Sequence, residues 1–158
     1  MEVEKTDDAV AAWRALLLAQ NAVLRAIEAE LARAGLIPLT WYDVLLELNA
    51  APGRRLRMQE LTARVVLSRA RVSRLVDELA GRGYVERQPD PNDGRACFAA
   101  LTPAGQTAFR QAAPVYLAGI ERHFTRHLAE DEQCAIVTGL QRVLGAHQPA
   151  GAAGCTVR

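Results

Sequence analysis

Val10, Leu17, Leu24 and Leu31 recur at intervals of seven, and Trp13, Gln20, Ile27 and Ala34 each follow three positions later. That spacing places one stripe along a helix and predicts a helix over residues 8–34. Leu16 and Val23 widen the stripe. The helix is longer than a small core requires, so part of its seam is expected to face a second subunit; the alternative is a core helix in a monomer. Residues 1–7 are polar and acidic and are expected to fray.

Gly35 reads as a helix stop, and Pro38 holds the chain out of helix. Thr40 stands where an N-cap belongs, with Asp43 three residues on as its partner, and "TWYDVLLELNAA" predicts a second helix ended by Pro52-Gly53. "MQELTARVV" predicts a short third helix with Leu61 and Val65 inward. Ser68 is a good N-cap for a fourth helix that runs to Gly81 or Gly83. The period then changes. "YVERQ" and "CFAAL" are strand-like, and "PDPNDGRA" between them is rich in turn formers, which predicts a hairpin with a long exposed tip. Thr102 caps and Pro103 opens another helix. Helices are expected over 103–128 and 131–146, the first kinked at Pro114. Residues 148–158 are expected to be disordered. The βαβ alternation of a nucleotide-binding sheet is absent, as is a glycine-rich phosphate loop.

Composition narrows the class. With 158 residues, half of them hydrophobic, the chain can bury one real core and is not a disordered segment. No unbroken apolar run reaches the ~18 residues of a membrane span, and no signal segment opens the chain, so a cytoplasmic protein without a membrane partner is expected. Cys97, Cys134 and Cys155 are widely spaced and unpaired in pattern, which argues against a disulfide framework or a zinc finger. Charge is the informative quantity. The whole chain carries +1, yet residues 54–74 hold seven arginines against Glu60 alone, a local +6. One face built for a polyanion explains this; an ordinary solvated helix face is the alternative.

Geometry assigns the arginines. On the fourth helix Val72, Leu75, Val76 and Leu79 form the buried stripe, and the opposite face carries Ala70, Ser73, Arg74 and Asp77. Arg71 flanks that face, and Arg69 lies near the buried edge. The exposed N-terminal half is therefore small and basic. A helix–turn–helix reads DNA with that part of its second helix, where an arginine can grip guanine O6 and N7 together. Arg74 is placed for a base, and Arg69, Arg54 and Arg55 for phosphates.

A helix–turn–helix followed by "ERQPDPNDGRACFAALTPAG" closely resembles the multiple-antibiotic-resistance-regulator (MarR) family of bacterial transcription regulators. The family's wing motif stands here as Asp93-Gly94-Arg95 and Leu101-Thr102-Pro103-Ala104-Gly105, and the order of elements matches over about residues 8–146. The resemblance implies a mainly α (α+β) fold. A winged helix–turn–helix over 40–102, with recognition helix 68–82 and wing 85–101, would bind double-stranded DNA. The helices 8–34 and 103–146 would build a homodimer that meets a palindromic site. It also implies that Arg95 enters the minor groove and that Asp93 holds the shape of the wing. The DNA-binding set expected is thus Arg54, Arg55, Ser68, Arg69, Ala70, Arg71, Ser73, Arg74, Asp93 and Arg95.

Further chemistry is sparse. His123 and His127 have the i, i+4 spacing of a zinc pair on one helix, and a zinc-sensing branch of the family uses such a pair. That branch adds ligands from the first two helices, where this chain has only carboxylates. The reactive first-helix cysteine of the hydroperoxide-sensing branch is missing. Trp13, Leu17, Trp41, Tyr42 and Asp43 resemble the pocket of the urate- and aromatic-sensing branch, which implies a small aromatic or phenolic effector and no cofactor. That branch has an arginine where this chain has Leu75, which argues against urate. Core packing and helix capping are the plainer roles for the same residues. No Ser/His/Asp or Cys/His arrangement points to an enzyme. The rivals to a ligand-responsive repressor are a winged helix that binds only protein, and a zinc-responsive regulator of the same fold.

Overall fold

The computed structural model describes residues 2–65, 67–91 and 93–147, with side chains from residue 7 onward except at 94 and 95. Six α-helices and a three-stranded antiparallel sheet follow the order α1 (Glu2–Arg33), α2 (Leu39–Ala50), β1 (Arg55–Arg57), α3 (Met58–Arg64), α4 (Arg69–Gly81), β2 (Val85–Asp90), β3 (Asp93–Leu101), α5 (Pro103–His123) and α6 (Glu130–His147). The mainly α, winged-helix architecture expected from the sequence is the one observed. Residues 148–158, expected as a disordered tail, lie outside the described residues.

α1 begins at Glu2, so the acidic start of the chain is helical and not frayed. It ends as the sequence predicts. Gly35 takes a left-handed φ of 67°, and the Leu36 N–H reaches back to the Leu31 carbonyl at 3.0 Å. The start of α2 differs from expectation. Pro38, extended at φ −58° and ψ 150°, occupies the N-cap place, and Thr40 lies inside the helix. The first-turn N–H of Leu39 donates instead to Glu28 Oε2 of α1 at 2.8 Å. A carboxylate from a neighbouring helix has taken the capping role, and Asp43 is released from it.

The core lies where α2, α4, the sheet and the inner end of α1 meet. Val44, Leu45 and Leu48 of α2, Leu61 of α3, and Val72, Leu75, Val76 and Leu79 of α4 are all buried, with Leu56, Val85 and Ala99 closing the sheet side. Each such valine or leucine contributes about 1.5–3 kcal/mol by leaving water. Tyr42 is inserted among them, stacked on Phe109 and Tyr116 of α5 at ring-centroid distances of 5.0 and 4.4 Å.

The sheet order is β1-β3-β2. β2 and β3 stay paired to Asp90↔Asp93, so the long tip expected from "PDPNDGRA" is mostly strand. β1 was not expected; it pairs Arg55 with Ala100 and Arg57 with Phe98. The motif after the wing acts as a joint. Thr102 Oγ1 accepts the Gly105 N–H at 3.0 Å and donates to the Gly83 carbonyl at 2.7 Å, which ties the start of α5 to the end of α4. α5 continues through Pro114, where a kink was expected, and ends at His123, short of residue 128; a 3-10 turn, Thr125–His127, follows.

α1 and α6 leave much apolar surface uncovered. Val10, Trp13, Leu17 and Leu24, on the predicted seam, are 41–61% exposed, and α6 has no buried residue. Asp7–Arg33 is, by length and composition, apolar enough to cross a membrane, with a mean hydropathy of 1.2 over its best window. The run-length criterion missed it because Arg14, Gln20 and Asn21 interrupt the apolar positions.

Candidate nucleic-acid interface

The N-terminal half of α4 is formed as its sequence dictates. Ser68 Oγ accepts the Arg71 N–H at 3.4 Å, and the stripe Val72, Leu75, Val76 and Leu79 turns inward. Arg69, Ala70, Arg71 and Arg74 are left exposed together. Ser73, expected on the same face, is only partly exposed, and its hydroxyl accepts from Arg87 Nη2 at 3.2 Å. Its place in the reading face is therefore shared with a structural bond.

The other arginines of the 54–74 run divide. Arg54 has a left-handed φ of 54° in the turn before β1, and Arg55 and Arg57 project from β1 with their guanidinia 4.8 and 5.7 Å from the Phe98 ring centre. Arg57 is also paired at 2.6 Å with Asp90, whose side chain is 1% exposed, and Arg64 lies 3.8 Å from Glu47. Counting charge along the sequence thus overstates the open patch. Among the described residues no ion pair engages Arg54, Arg55, Arg69, Arg71 or Arg74, whereas Arg57 and Arg64, though also exposed, are paired.

Asp93 opens β3 beside Asp90 and, with Arg57, Arg69, Ser73, Arg87 and Cys97, lines a cavity of about 360 Å3 between the wing and the start of α4. The backbone of Arg95 runs in β3; its side chain lies outside the described residues. Arg87 was missed by sequence reading, although a signal existed. Val85 and Arg87 alternate onto the same face, so Arg87 leaves the strand on the side that Val85 packs, although it stays exposed there.

The five expected effector residues do not converge within one chain. Trp13 lies on the outer part of α1 and lines an apolar cavity of about 570 Å3 with Leu16, Phe124, Leu128, Ile136 and Leu140. Leu17 is exposed near it. Trp41 packs edge-on to Tyr84 and donates to Glu78 Oε2 at 3.4 Å, while Tyr42 is 2% exposed in the core. Neighbours on a helix differ by about 100°, and here Trp41 and Tyr42 turn to different neighbours. Cys155, expected as a loose tail thiol, lies outside the described residues. The zinc pair is not formed either. α5 ends at His123, and Phe124 breaks the helix before His127. His123 Nε2 lies 2.8 Å from Glu30 Oε1, and His127 Nε2 lies 3.2 Å from the Arg122 carbonyl.

Asp43 nonetheless has unusual electrostatics. Its carboxyl is pushed up from 3.8 to about 6 by desolvation against the buried face of α2, with Glu47 and Glu28 adding repulsion, although the residue as a whole is exposed and solvent weakens the effect. The same burial raises the Tyr42 phenol to about 12. Between pH ~4 and ~6 the folded chain holds a proton that the unfolded chain has lost. This site therefore favours folding below pH 4, and that advantage is lost as pH rises through 6. Asp43→Asn should raise the melting temperature at pH 8 and leave it unchanged near pH 4. An equal shift at both pH values would show that charge is not the cause.

The MarR family model matches residues 34–96. YkoM of Bacillus subtilis, an uncharacterized HTH-type transcriptional regulator, is 30% identical over 98 residues, which are 62% of this chain and 62% of YkoM. Among solved structures, Sco3205 of Streptomyces coelicolor, a MarR family transcriptional regulator in complex with DNA, is 29% identical; the match covers 92% of this chain and 91% of that one at a TM-score of 0.82. BpsR of Bordetella bronchiseptica, whose DNA binding is regulated by 6-hydroxynicotinic acid, shares the fold at 20% identity and a TM-score of 0.74, over 83% of this chain and 91% of that one. The chain spans only about half to three-fifths of the length of the curated relatives it matches.

Proposed function

We propose that the chain is a member of the MarR family of winged helix–turn–helix transcription regulators, which its family-model match and its likeness to Sco3205 support, and that it is a homodimeric, cytoplasmic repressor that binds a palindromic duplex and releases it when a small aromatic or phenolic effector binds. The observation that carries the DNA-binding part is the exposed group Arg69, Ala70, Arg71 and Arg74 at the capped start of α4, beside a two-stranded wing. Guanidinium groups there fit base edges in a major groove, and the small Ala70 lets the helix backbone approach. The uncovered stripe on α1 and the uncovered α6 support the dimer, in which two recognition helices would lie about one DNA turn, ~34 Å, apart. Sco3205, seen on DNA, supports the first part, and BpsR, with its aromatic acid, supports effector control.

Titrating salt against binding to duplex DNA tests this reading. A polyanion-binding face loses affinity steeply as salt rises, whereas a winged helix that binds only protein shows no DNA affinity to lose. The arginines should separate by role. Arg74→Ala should cost about 1–3 kcal/mol on the best palindrome and relax sequence preference, because a bidentate base contact is lost. Arg55→Ala should weaken all duplexes alike, since phosphate contacts carry no sequence information. Equal losses on specific and random DNA for Arg74→Ala would remove it from base reading.

A further inference from the structure

We propose that Arg87 is the positioning residue that sets the recognition helix against the wing, and that it does so without touching nucleic acid; this rests on the DNA-binding reading above. Arg87 stands in the middle of β2, paired with Ala99, on the face that carries Val85 into the core. From there its side chain crosses to α4. Nε and Nη2 lie 2.9 and 2.8 Å from Asp77 Oδ1, Nη2 also reaches the Ser73 carbonyl at 3.3 Å and its hydroxyl at 3.2 Å, and Nη1 lies 3.4 Å from Cys97 Sγ.

An isolated pair as exposed as this one would contribute little, with Asp77 62% and Arg87 33% exposed. The arrangement is not an isolated pair. Ser73 and Asp77 are one helical turn apart, so a single guanidinium grips a whole turn of α4 and one strand of the wing at once. All three of its nitrogens are committed inside the protein, which leaves it little with which to hold a phosphate. The far end of α4 is anchored separately, by Trp41 on Glu78. Arg87 is thus a polar tie across the middle of α4, from Ser73 to Asp77, and through it the helix and the wing present one rigid surface.

Asp77 provides a test of opposite sign. Removing an acid from a DNA-facing helix should tighten binding if only charge matters; if Asp77 is the anchor of a tie, its loss should weaken binding. Wild type, Arg87→Ala, Arg87→Lys, Asp77→Asn and the Arg87→Ala/Asp77→Asn double variant would be compared on a palindrome selected from a randomised duplex pool, across a salt series. Arg87→Ala and Asp77→Asn are each expected to lose on the order of tenfold in affinity, with the double variant no worse than either and the salt slope unchanged. Lysine, lacking the fork, should restore only part of the loss. Tighter binding by Asp77→Asn, additive losses, or a salt slope lower by about one in Arg87→Ala would overturn the proposal. Hydrogen exchange of the free protein gives a readout independent of DNA. Faster exchange in β2, β3 and the Ser73–Asp77 turn of α4 of Arg87→Ala, with α1 and α5 unchanged, is expected, and unaltered exchange in the hairpin rejects the tie. If wild type selects no duplex, the DNA-binding reading fails, and the exchange result still decides whether Arg87 couples helix to wing.

Discussion

Replacing Leu17 and Leu144 together by aspartate should turn the protein into monomers and lower its affinity for a palindromic duplex by about 10²–10⁴-fold. Both side chains are large, apolar and exposed in the single chain, at 44% and 62%. Leu17 belongs to the stripe of Val10, Trp13 and Leu24, and Leu144 lies on α6, which has no buried residue of its own. In the proposed dimer a second chain would supply the cover these surfaces need, and carboxylates buried against it would lack partners. The affinity effect follows from geometry and not from lost DNA contacts. Two half-sites bound by one dimer make the second binding step intramolecular, and a monomer forfeits that gain. Light scattering at micromolar concentration and binding to full and half palindromes would measure both parts. A double variant that remains dimeric, or a wild type that is already monomeric, would refute the dimer.

Gly105→Ala should cost about 3 kcal/mol or more and lower the melting temperature by roughly 6–12 °C. A Cβ on Gly105 would lie 2.0 Å from the Tyr84 carbonyl oxygen and 2.9 Å from Leu101 Cδ1. The oxygen belongs to backbone already held by the Thr102 N–H at 3.1 Å, so it cannot yield without opening the joint. Gly81→Ala is the control. Nothing lies within 4 Å of a Cβ there, and alanine suits a helix better by about 1 kcal/mol. Urea or thermal denaturation of the two variants should therefore shift in opposite directions. Equal stability of Gly105→Ala and wild type would mean that the close approach of α5 to Tyr84 is not obligatory.

Much of the fold was legible because its signals are local. The stripe on α4, the Ser68 and Thr102 caps and the Gly35 stop each depend on residues within one or two turns, and each stands as expected. The errors arose where the partner is distant in sequence. Thr40 looked like a cap because nothing nearby shows that Glu28, eleven residues earlier, would reach the Leu39 N–H. β1 is three residues long, too short for alternation to register, and exists because β3 lies beside it. "PDPNDG" was read as a loop from its turn formers, yet Asp90 is drawn inward by Arg57, thirty-three positions away. The candidate site followed the same rule. The exposed arginines of α4 were predictable from its period, whereas the Arg87 tie requires knowing which helix the strand crosses. Aromatic residues near each other in sequence suggested a shared cleft, but helix geometry sends Trp41 and Tyr42 to different neighbours.

The Glu28–Leu39 bond and the Thr102–Gly83 bond have a joint mechanical meaning. One stands where the chain leaves α1 to enter the helix–turn–helix, and the other stands where it leaves the wing to enter α5, while α1 and α5 pack along each other. The reading head is thus held to its frame at both ends, like a drawer on two runners, and not by a single strap. A head hung on one linker must surrender its wandering each time it meets DNA. A head on two runners has surrendered most of it during folding, so in the proposed complex more of the binding energy of its arginines would go into the duplex.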